Sequence, residues 1–323
     1  MNNELVRVEG LKKHFFLRSG FFAKNKNVVK AVDDVTFSIE KGETLGIVGE
    51  SGCGKSTMGK LILRLLDTTS GNVFFKGENL INKSSKELLV MRRNFQMVFQ
   101  NPYGSLNTRM SLQDILEEPL IIHGFHSTKR KKRIRELLDF VGLSYTFVNR
   151  FPHEFSGGQR QRIAIARALA LNPEFIVADE PVSALDVSIQ AQILNLLLDL
   201  QKELNLTYLF IAHDLSVVQY ISDRVGVMYL GKIVEITDSE NLYRNPLHPY
   251  TQVLLSAIPI VFPEETSKRK ILKGDIPSFI NAPGGCGFSS RCDEKKGICI
   301  KVEPTLQEYM PGHFVACHLY SSQ

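Results

Sequence analysis

Short β-rich runs open the chain. Leu5, Val6 and Val8 alternate with polar positions, and a second stretch runs from Val28 to Val35 and on through Thr36, Phe37, Ser38 and Ile39 to a Lys41-Gly42 turn signal. This pattern predicts an antiparallel flap. Thr44 to Val48 is then a continuous apolar run ending in a glycine-rich stretch, after which Met58, Leu61, Ile62, Leu65 and Leu66 recur at helical spacing from Lys55 to Leu66. Strand, glycine loop and helix, in that order, make a nucleotide-binding α/β unit.

From about Asn101 to Ala170 the pattern turns helical and charged, and Ser127-Thr128 is expected to cap a helix carrying the basic run Lys129 to Arg135. A solvated helix face accounts for that run better than nucleic-acid contact does. Phe175 to Ala178 is wholly apolar, as a strand buried on both faces of a parallel sheet should be. A long helix is predicted from about Ser188 to Leu204, and a second buried strand from Tyr208 to Ala212. After about Val234 the periodicity loosens into Pro246, Pro249, Pro259 and Pro263 and then a Gly-, Pro- and Cys-rich tail. The expected division is a nucleotide-binding domain over 1–235, with a helical subdomain at about 101–170, and a smaller C-terminal extension over 236–323. No internal repeat is evident.

Composition narrows the classes. At 323 residues, 43% hydrophobic and 23% charged, the chain is neither disordered nor dependent on disulfides for a core, and it has room for two domains. A net charge of +5 suits phosphate ligands or an anionic membrane face and is too weak to diagnose nucleic acid. No apolar run reaches the roughly 18 residues that a membrane-spanning helix needs. The opening residues MNNELVRVEG lack the apolar region of a secretory signal, so the cytoplasm is the expected compartment. Of five cysteines, Cys53 stands in the glycine stretch and Cys286, Cys292, Cys299 and Cys317 crowd the tail, which points to metal or redox chemistry.

Gly49-Glu50-Ser51-Gly52-Cys53-Gly54-Lys55-Ser56 fits G-x-x-x-x-G-K-[ST] in full. Gly49, Gly52 and Gly54 let backbone N–H groups turn inward around a polyphosphate at a helix N-terminus. Lys55 is expected to neutralise the β- and γ-phosphates and the Ser56 hydroxyl to ligate Mg²⁺, with Ser51 and Thr57 completing the ATP contacts. Asp179, ending the apolar strand, is expected to hold Mg²⁺, and Glu180 to polarise an attacking water. Cys53, beside Lys55 and a helix N-terminus, is expected to have a lowered pKa, and its alkylation to block nucleotide binding.

With these residues in place, the sequence resembles the ATP-binding subunits of ABC transporters. Ser156, Gly157, Gly158 and Gln159, within EFSGGQRQRIAIARALA, look like the signature motif; Gln100 looks like the Q-loop glutamine. Ser183-Ala184-Leu185-Asp186 resembles the D-loop, His213 the switch histidine and Phe15 the aromatic that stacks on adenine. One departure is Phe155 in place of the usual leucine, expected to pack rather than to touch phosphate. The stretches RFPHEFSGGQRQRIAIARALALNP and NPLHPYTQVLLSAIP are similar to the oligopeptide/dipeptide importer ATPases, closest to the second of their two ATPase subunits.

The resemblance implies an α/β ABC-type P-loop ATPase: a RecA-like core with an antiparallel β flap and a helical subdomain, followed by a small Cys-rich C-terminal region. It implies ATP and Mg²⁺ as ligands, with Gln100 joining Ser56 and Asp179 at the metal and His213 sensing the γ-phosphate. It further implies a signature motif that serves the partner's ATP, Asp186 among the nucleotide-binding residues, and a second, homologous ATPase subunit in a heterodimer. Two transmembrane permease subunits and an extracellular peptide-binding protein complete the assembly. The location is the cytoplasmic face of the membrane, and residues 100–110 are the candidates for coupling to a permease. Some members of the family carry a [4Fe–4S] cluster on a C-terminal pattern like Cys286-x₅-Cys292-x₆-Cys299-x₁₇-Cys317; zinc, helped by His313 or His318, or no metal at all, are the alternatives. An ABC ATPase acting on DNA would carry a coiled-coil or zinc insertion, and a translation factor two copies of each motif. Neither pattern is present. A nickel-type metal importer stays open within the transport class.

Overall fold

Three runs with no exposed side chain, Thr44–Val48, Phe175–Asp179 and Thr207–Ile211, become strands, and each ends beside a sequence motif. The computed structural model describes residues 3–17, 27–257 and 284–320. Its strands are β1 (Glu4–Leu17), β2 (Asn27–Glu40), β3 (Thr44–Val48), β4 (Ser70–Phe75), β5 (Glu78–Asn79), β6 (Phe95–Val98), β7 (Phe175–Asp179), β8 (Thr207–Ile211), β9 (Arg224–Tyr229), β10 (Lys232–Asp238), β11 (Gln307–Met310) and β12 (His313–Val315). Its helices are α1 (Lys55–Ile62), α2 (Ser85–Met91), α3 (Pro102–Ser105), α4 (Leu112–Ile122), α5 (Ser127–Phe140), α6 (Gly157–Leu169), α7 (Val187–Leu204), α8 (Leu215–Ile221), α9 (Ser239–Arg244) and α10 (Pro249–Ser256).

The described chain forms two compact units, one from Glu40–Thr44 and Asn82–Ile211, the other from within Glu4–Ile39, Leu45–Ile81 and Ala212–Gln323. In the first, β6, β7 and β8 run parallel, with Phe95 opposite Phe175 and Phe175 opposite Thr207. Ile176, Val177, Tyr208, Leu209 and Phe210 fill the interior with Ile163 of α6 and Ile193 and Leu197 of α7. Each such side chain contributes about 1.5–3 kcal/mol by leaving water. The Tyr208 hydroxyl, buried among them, donates to Leu197 O at 3.2 Å. Helices α4 and α5 pack on each other and on α6.

In the second unit β3 pairs parallel with β9, and β9, β10, β12 and β11 continue antiparallel. The tail therefore returns to the sheet: Glu235 and Ile236 of β10 lie opposite Val315 and Phe314. The expected 235/236 division falls within β10, which pairs with β9 from Lys232 to Asp238 with a register shift between Ile233 and Glu235. A separate sheet in the order β2-β1-β4-β5 forms the flap, antiparallel from β1 to β4 and from β4 to β5. It is anchored by Asp33, buried between His14 Nε2 at 2.9 Å, Lys30 Nζ at 3.1 Å and Lys232 Nζ at 3.4 Å.

Two local expectations change. Helix α1 ends at Ile62 rather than Leu66, because the chain beyond Leu63 turns through Arg64 at φ 51° and leaves Leu65 exposed. The residue capping α5 is His126, without a side-chain cap bond, and its ring reaches Thr128 Oγ1 at 3.1 Å. Ser127 and Thr128 are already in the helix. The basic run is partly structural: Arg133 donates to Leu169 O at 2.7 Å and Ala170 O at 3.2 Å.

Candidate nucleotide site

The glycine loop lies in the second unit, between β3 and α1. Gly54 caps α1 at φ 110°, a region L side chains rarely enter, and a Cβ there would collide with the Ala31 carbonyl. The Lys55 ammonium, almost wholly buried, folds back on its own loop and donates to Gly49 O at 2.7 Å and Glu50 O at 3.0 Å. A phosphate entering the loop would offer those protons stronger, charged acceptors. Ser51 and Gly52 are exposed, while Ser56 and Thr57 are half-buried in the first turn of α1. Phe15, on β1, is 39% exposed, with the Lys13 ammonium 5.2 Å from its ring centre. His213 is exposed between β8 and α8.

Cys53 departs from its expected chemistry. Its thiol is 3.7 Å from Lys55 Nζ, yet only 4% of the residue is exposed. Burial pushes its pKa up, outweighing the attraction of Lys55. A thiolate at neutral pH is thereby disfavoured.

The other predicted nucleotide-site groups lie in the first unit. Asp179 ends β7, 3% exposed, and Glu180 follows at φ 45°, a left-handed backbone for a residue that is not glycine. Glu180 N donates to Ile211 O at 2.8 Å, and Gln100 Nε2 donates to Glu180 Oε2 at 2.7 Å. The structure thus joins two residues 80 apart in sequence. Just beyond Gln100, Asn101 caps α3 by accepting from Tyr103 N at 2.9 Å and Gly104 N at 3.3 Å. The 100–110 segment is fastened to α6: the Arg160 guanidinium stacks 3.7 Å from the Tyr103 ring centre, and Arg167 donates to Ser105 O at 2.6 Å.

Ser156 caps α6 in a reciprocal capping box, its Oγ accepting from Gln159 N at 3.3 Å while Gln159 Oε1 accepts from Ser156 N at 3.0 Å. Gly157 is half-buried, and Gly158 is buried for packing reasons: a Cβ there would come within 2.5 Å of Ile189 Cγ2. Phe155 packs inside, edge-on to Phe147 at 6.0 Å. Asp186 caps α7; hydrogen bonds from the Ile189 N–H and the Ser188 hydroxyl hold its carboxyl below the usual range.

The tail brings Cys286, Cys292, Cys299 and Cys317 around one small cavity with His318 and Phe288. Among the described residues no group of three or more His, Cys, Asp or Glu side chains is drawn into a ready metal site. The thiols share a cavity without closing into a coordination sphere. Burial first, then the neighbouring cysteines, push Cys317 up to about 11. His313, expected as a possible zinc ligand, is instead buried against Glu235, Nε2 to Oε1 at 2.8 Å, because that fully buried carboxylate needs the partner. His318 Nε2 is bonded to Val302 O at 2.9 Å.

Sequence reasoning missed two contacts of the glycine loop. Both Arg291 Nη atoms donate to the Glu50 carboxylate, at 2.9 and 3.0 Å, and Glu50 N donates to the Tyr250 hydroxyl at 2.9 Å. The available signal was a carboxylate inside a phosphate loop, whose charge opposes that of the ligand, and the guanidinium that meets it lies 241 positions away.

Comparison with known proteins fits these arrangements. The sequence family described as ABC transporter matches residues 32–183, and the oligopeptide/dipeptide transporter C-terminal region matches residues 234–299. The oligopeptide transport ATP-binding protein AppF of Bacillus subtilis is 56% identical over 321 residues, covering 98% of each chain. The chain belongs to the ATP-binding subunits of oligopeptide/dipeptide ABC transporters. Within that family the dipeptide transport ATP-binding protein DppF of Haemophilus influenzae is 50% identical, covering 98% of this chain and 97% of its own. Among solved structures, the dimeric ATP-binding cassette MJ0796 in a post-hydrolysis state with ADP and Pi superposes with a TM-score of 0.64 at 32% identity, over 73% of this chain and 99% of that one. The ABC ATPase fold, of mixed α and β content, is shared.

Proposed function

We propose that this subunit hydrolyses ATP at a site formed by its own glycine loop and a partner's signature motif, and that hydrolysis drives import of oligopeptides or dipeptides. The observation that carries the catalytic assignment is Glu180: strained at φ 45° and held by the Gln100 amide at 2.7 Å, it is a carboxylate fixed in aim. In this reading Glu180 orients water and accepts its proton, and Gln100 and His213 report on the γ-phosphate. Lys55 exchanges its carbonyl partners for phosphate oxygens, and Phe15 faces adenine. The Ser56 hydroxyl, the Asp179 carboxylate and the Gln100 amide oxygen are hard oxygen donors that suit Mg²⁺, which supplies neutralisation of phosphate charge when bound. Ser156, Gly157, Gly158, Gln159 and Asp186 act on the partner's nucleotide, with phosphate taken at the positive N-terminal end of α6. The partner in this proposal is a sister ATPase, and the pair sits against two permeases on the cytoplasmic membrane face and is supplied by an external peptide-binding protein. Among the described residues no helix is long and apolar enough to cross a membrane, which suits peripheral attachment.

The cysteine tail, in this proposal, is a small C-terminal module whose four thiols hold a [4Fe–4S] cluster. Four soft donors line one cavity, and burial together with neighbouring cysteines disfavours ionisation of Cys286, Cys292 and Cys317, which fits a cation that takes up thiolate charge. Such a group would supply structural cross-linking there, outside hydrolysis.

The test is Glu180→Gln in the full chain. ATP binding should persist while turnover falls by about 10²–10⁴-fold, the usual worth of a positioned base. Turnover close to that of the unaltered chain sinks the assignment.

A further inference from the structure

Glu50 is an awkward residue for a loop that receives a triphosphate, since its carboxylate carries the sign of the ligand. The structure shows what removes that charge. Arg291, 241 positions later, grips both Glu50 oxygens with the two ends of its planar fork, at 2.9 and 3.0 Å. The pair is shielded from water, with side-chain exposures of 5% for Arg291 and 18% for Glu50. One Nη also reaches the Tyr229 hydroxyl at 3.4 Å. Every polar group of Glu50 is therefore committed: its N–H to Tyr250, its carbonyl to Lys55 and its carboxylate to Arg291.

Arg291 is itself set by the tail. Its N–H donates to Phe288 O at 3.0 Å and Ser289 N donates to Cys286 O at 3.0 Å, a tight turn between the first two cysteines. The Phe288 ring packs edge-on to Tyr229 at 5.4 Å and lies 5.5 Å from Tyr250, the residue that holds the Glu50 amide. The turn, the two tyrosines and the glycine loop thus form one packed group.

We propose that Arg291 is a positioning residue of the ATP site, neutralising the Glu50 carboxylate so that the glycine loop can receive phosphate. The inference rests on the reading that Gly49–Thr57 binds ATP. It makes the C-terminal region part of the nucleotide site. Lysine is a poor substitute, because a point charge cannot span both oxygens as the guanidinium fork does.

The test measures binding of a fluorescent non-hydrolysable ATP analogue, and steady-state ATP turnover, on the full-length chain. Arg291→Gln leaves a bare carboxylate in the loop and should weaken ATP by on the order of tenfold, raising KM with kcat within about twofold. Glu50→Gln/Arg291→Gln removes the charge as well as its partner and should return affinity to within about threefold of the unaltered chain. Arg291→Lys should fall between. Equal affinity for Arg291→Gln and the unaltered chain overturns the inference. So does equal weakness of the single and double variants, which would make the pair a mere clamp. If Arg291→Gln fails to fold, the comparison passes to Arg291→Lys and Glu50→Gln/Arg291→Lys, where restoration by the second change supports the inference and its absence overturns it. Lys55→Ala separates the two levels: if it binds ATP like the unaltered chain, the glycine-loop reading fails rather than the role of Arg291.

Discussion

At the residue scale, environment overrides sequence neighbourhood. Cys53 has a lysine two residues away and a helix behind it, a setting that favours thiolate, but desolvation is the larger effect. At neutral pH, iodoacetamide should therefore modify Cys53 at least about tenfold more slowly than a free thiol, as read by peptide mass spectrometry, and unfolding should abolish the protection. Fast labelling in the folded chain would contradict the buried geometry. Asp33 runs the other way. Burial would raise its carboxyl, but the hydrogen bond from His14 and the charges of Lys232 and Lys30 prevail and hold it at about 2, against its ordinary 3.8. A carboxyl depressed in the folded state stabilises it fully above the unfolded value and loses that contribution as pH falls towards 2. Asp33→Asn should cost about 2 kcal/mol at neutral pH and flatten the acid decline between pH 4 and 2, as measured by urea unfolding.

At the scale of the element, helix α6 shows one short motif serving two purposes. Ser156 is a cap before it is anything else, and Ser156→Ala should cost about 1 kcal/mol of stability. If Ser156 also serves a partner's phosphate, ATP turnover should fall far more than thermal stability does; parallel losses would leave only the cap. Gly158 makes the same point through packing. Gly158→Ala forces a methyl onto Ile189 Cγ2 and should cost about 1–3 kcal/mol, with Ile189→Ala relieving part of it in the double variant. Additive losses, measured by thermal unfolding, would show that the clash is not the cause.

For the whole molecule, the composition of the assembly is the open quantity that a direct measurement reaches. Affinity capture of this chain from gently solubilised membranes should recover two polytopic permeases and a second ATPase, identified by mass spectrometry. Ribosomal proteins or DNA without membrane partners would leave the ATPase chemistry and remove the transport role. Anaerobically purified chain should carry iron and acid-labile sulfide in equal amounts, lost on changing Cys292 to serine; zinc in their place would select the other soft cation.

Local pattern was sufficient wherever one element carries its own instruction. The apolar runs of β3, β7 and β8, the glycine loop and the capping box at Ser156 each depend on residues within a few positions, and periodicity, backbone sterics and capping chemistry make them readable from the chain. The ABC motifs, and with them the family, follow from such segments. What only tertiary structure decided is where long-range partners meet. The Gln100 amide on Glu180, His313 on Glu235 rather than on a metal, the four thiols at one cavity and Arg291 on Glu50 join residues far apart in sequence. No local signal sets them, because a charge or hydrogen bond is satisfied by whatever the folded backbone brings within about 3 Å, and burial, which decides how strongly it counts, exists only once the chain has folded.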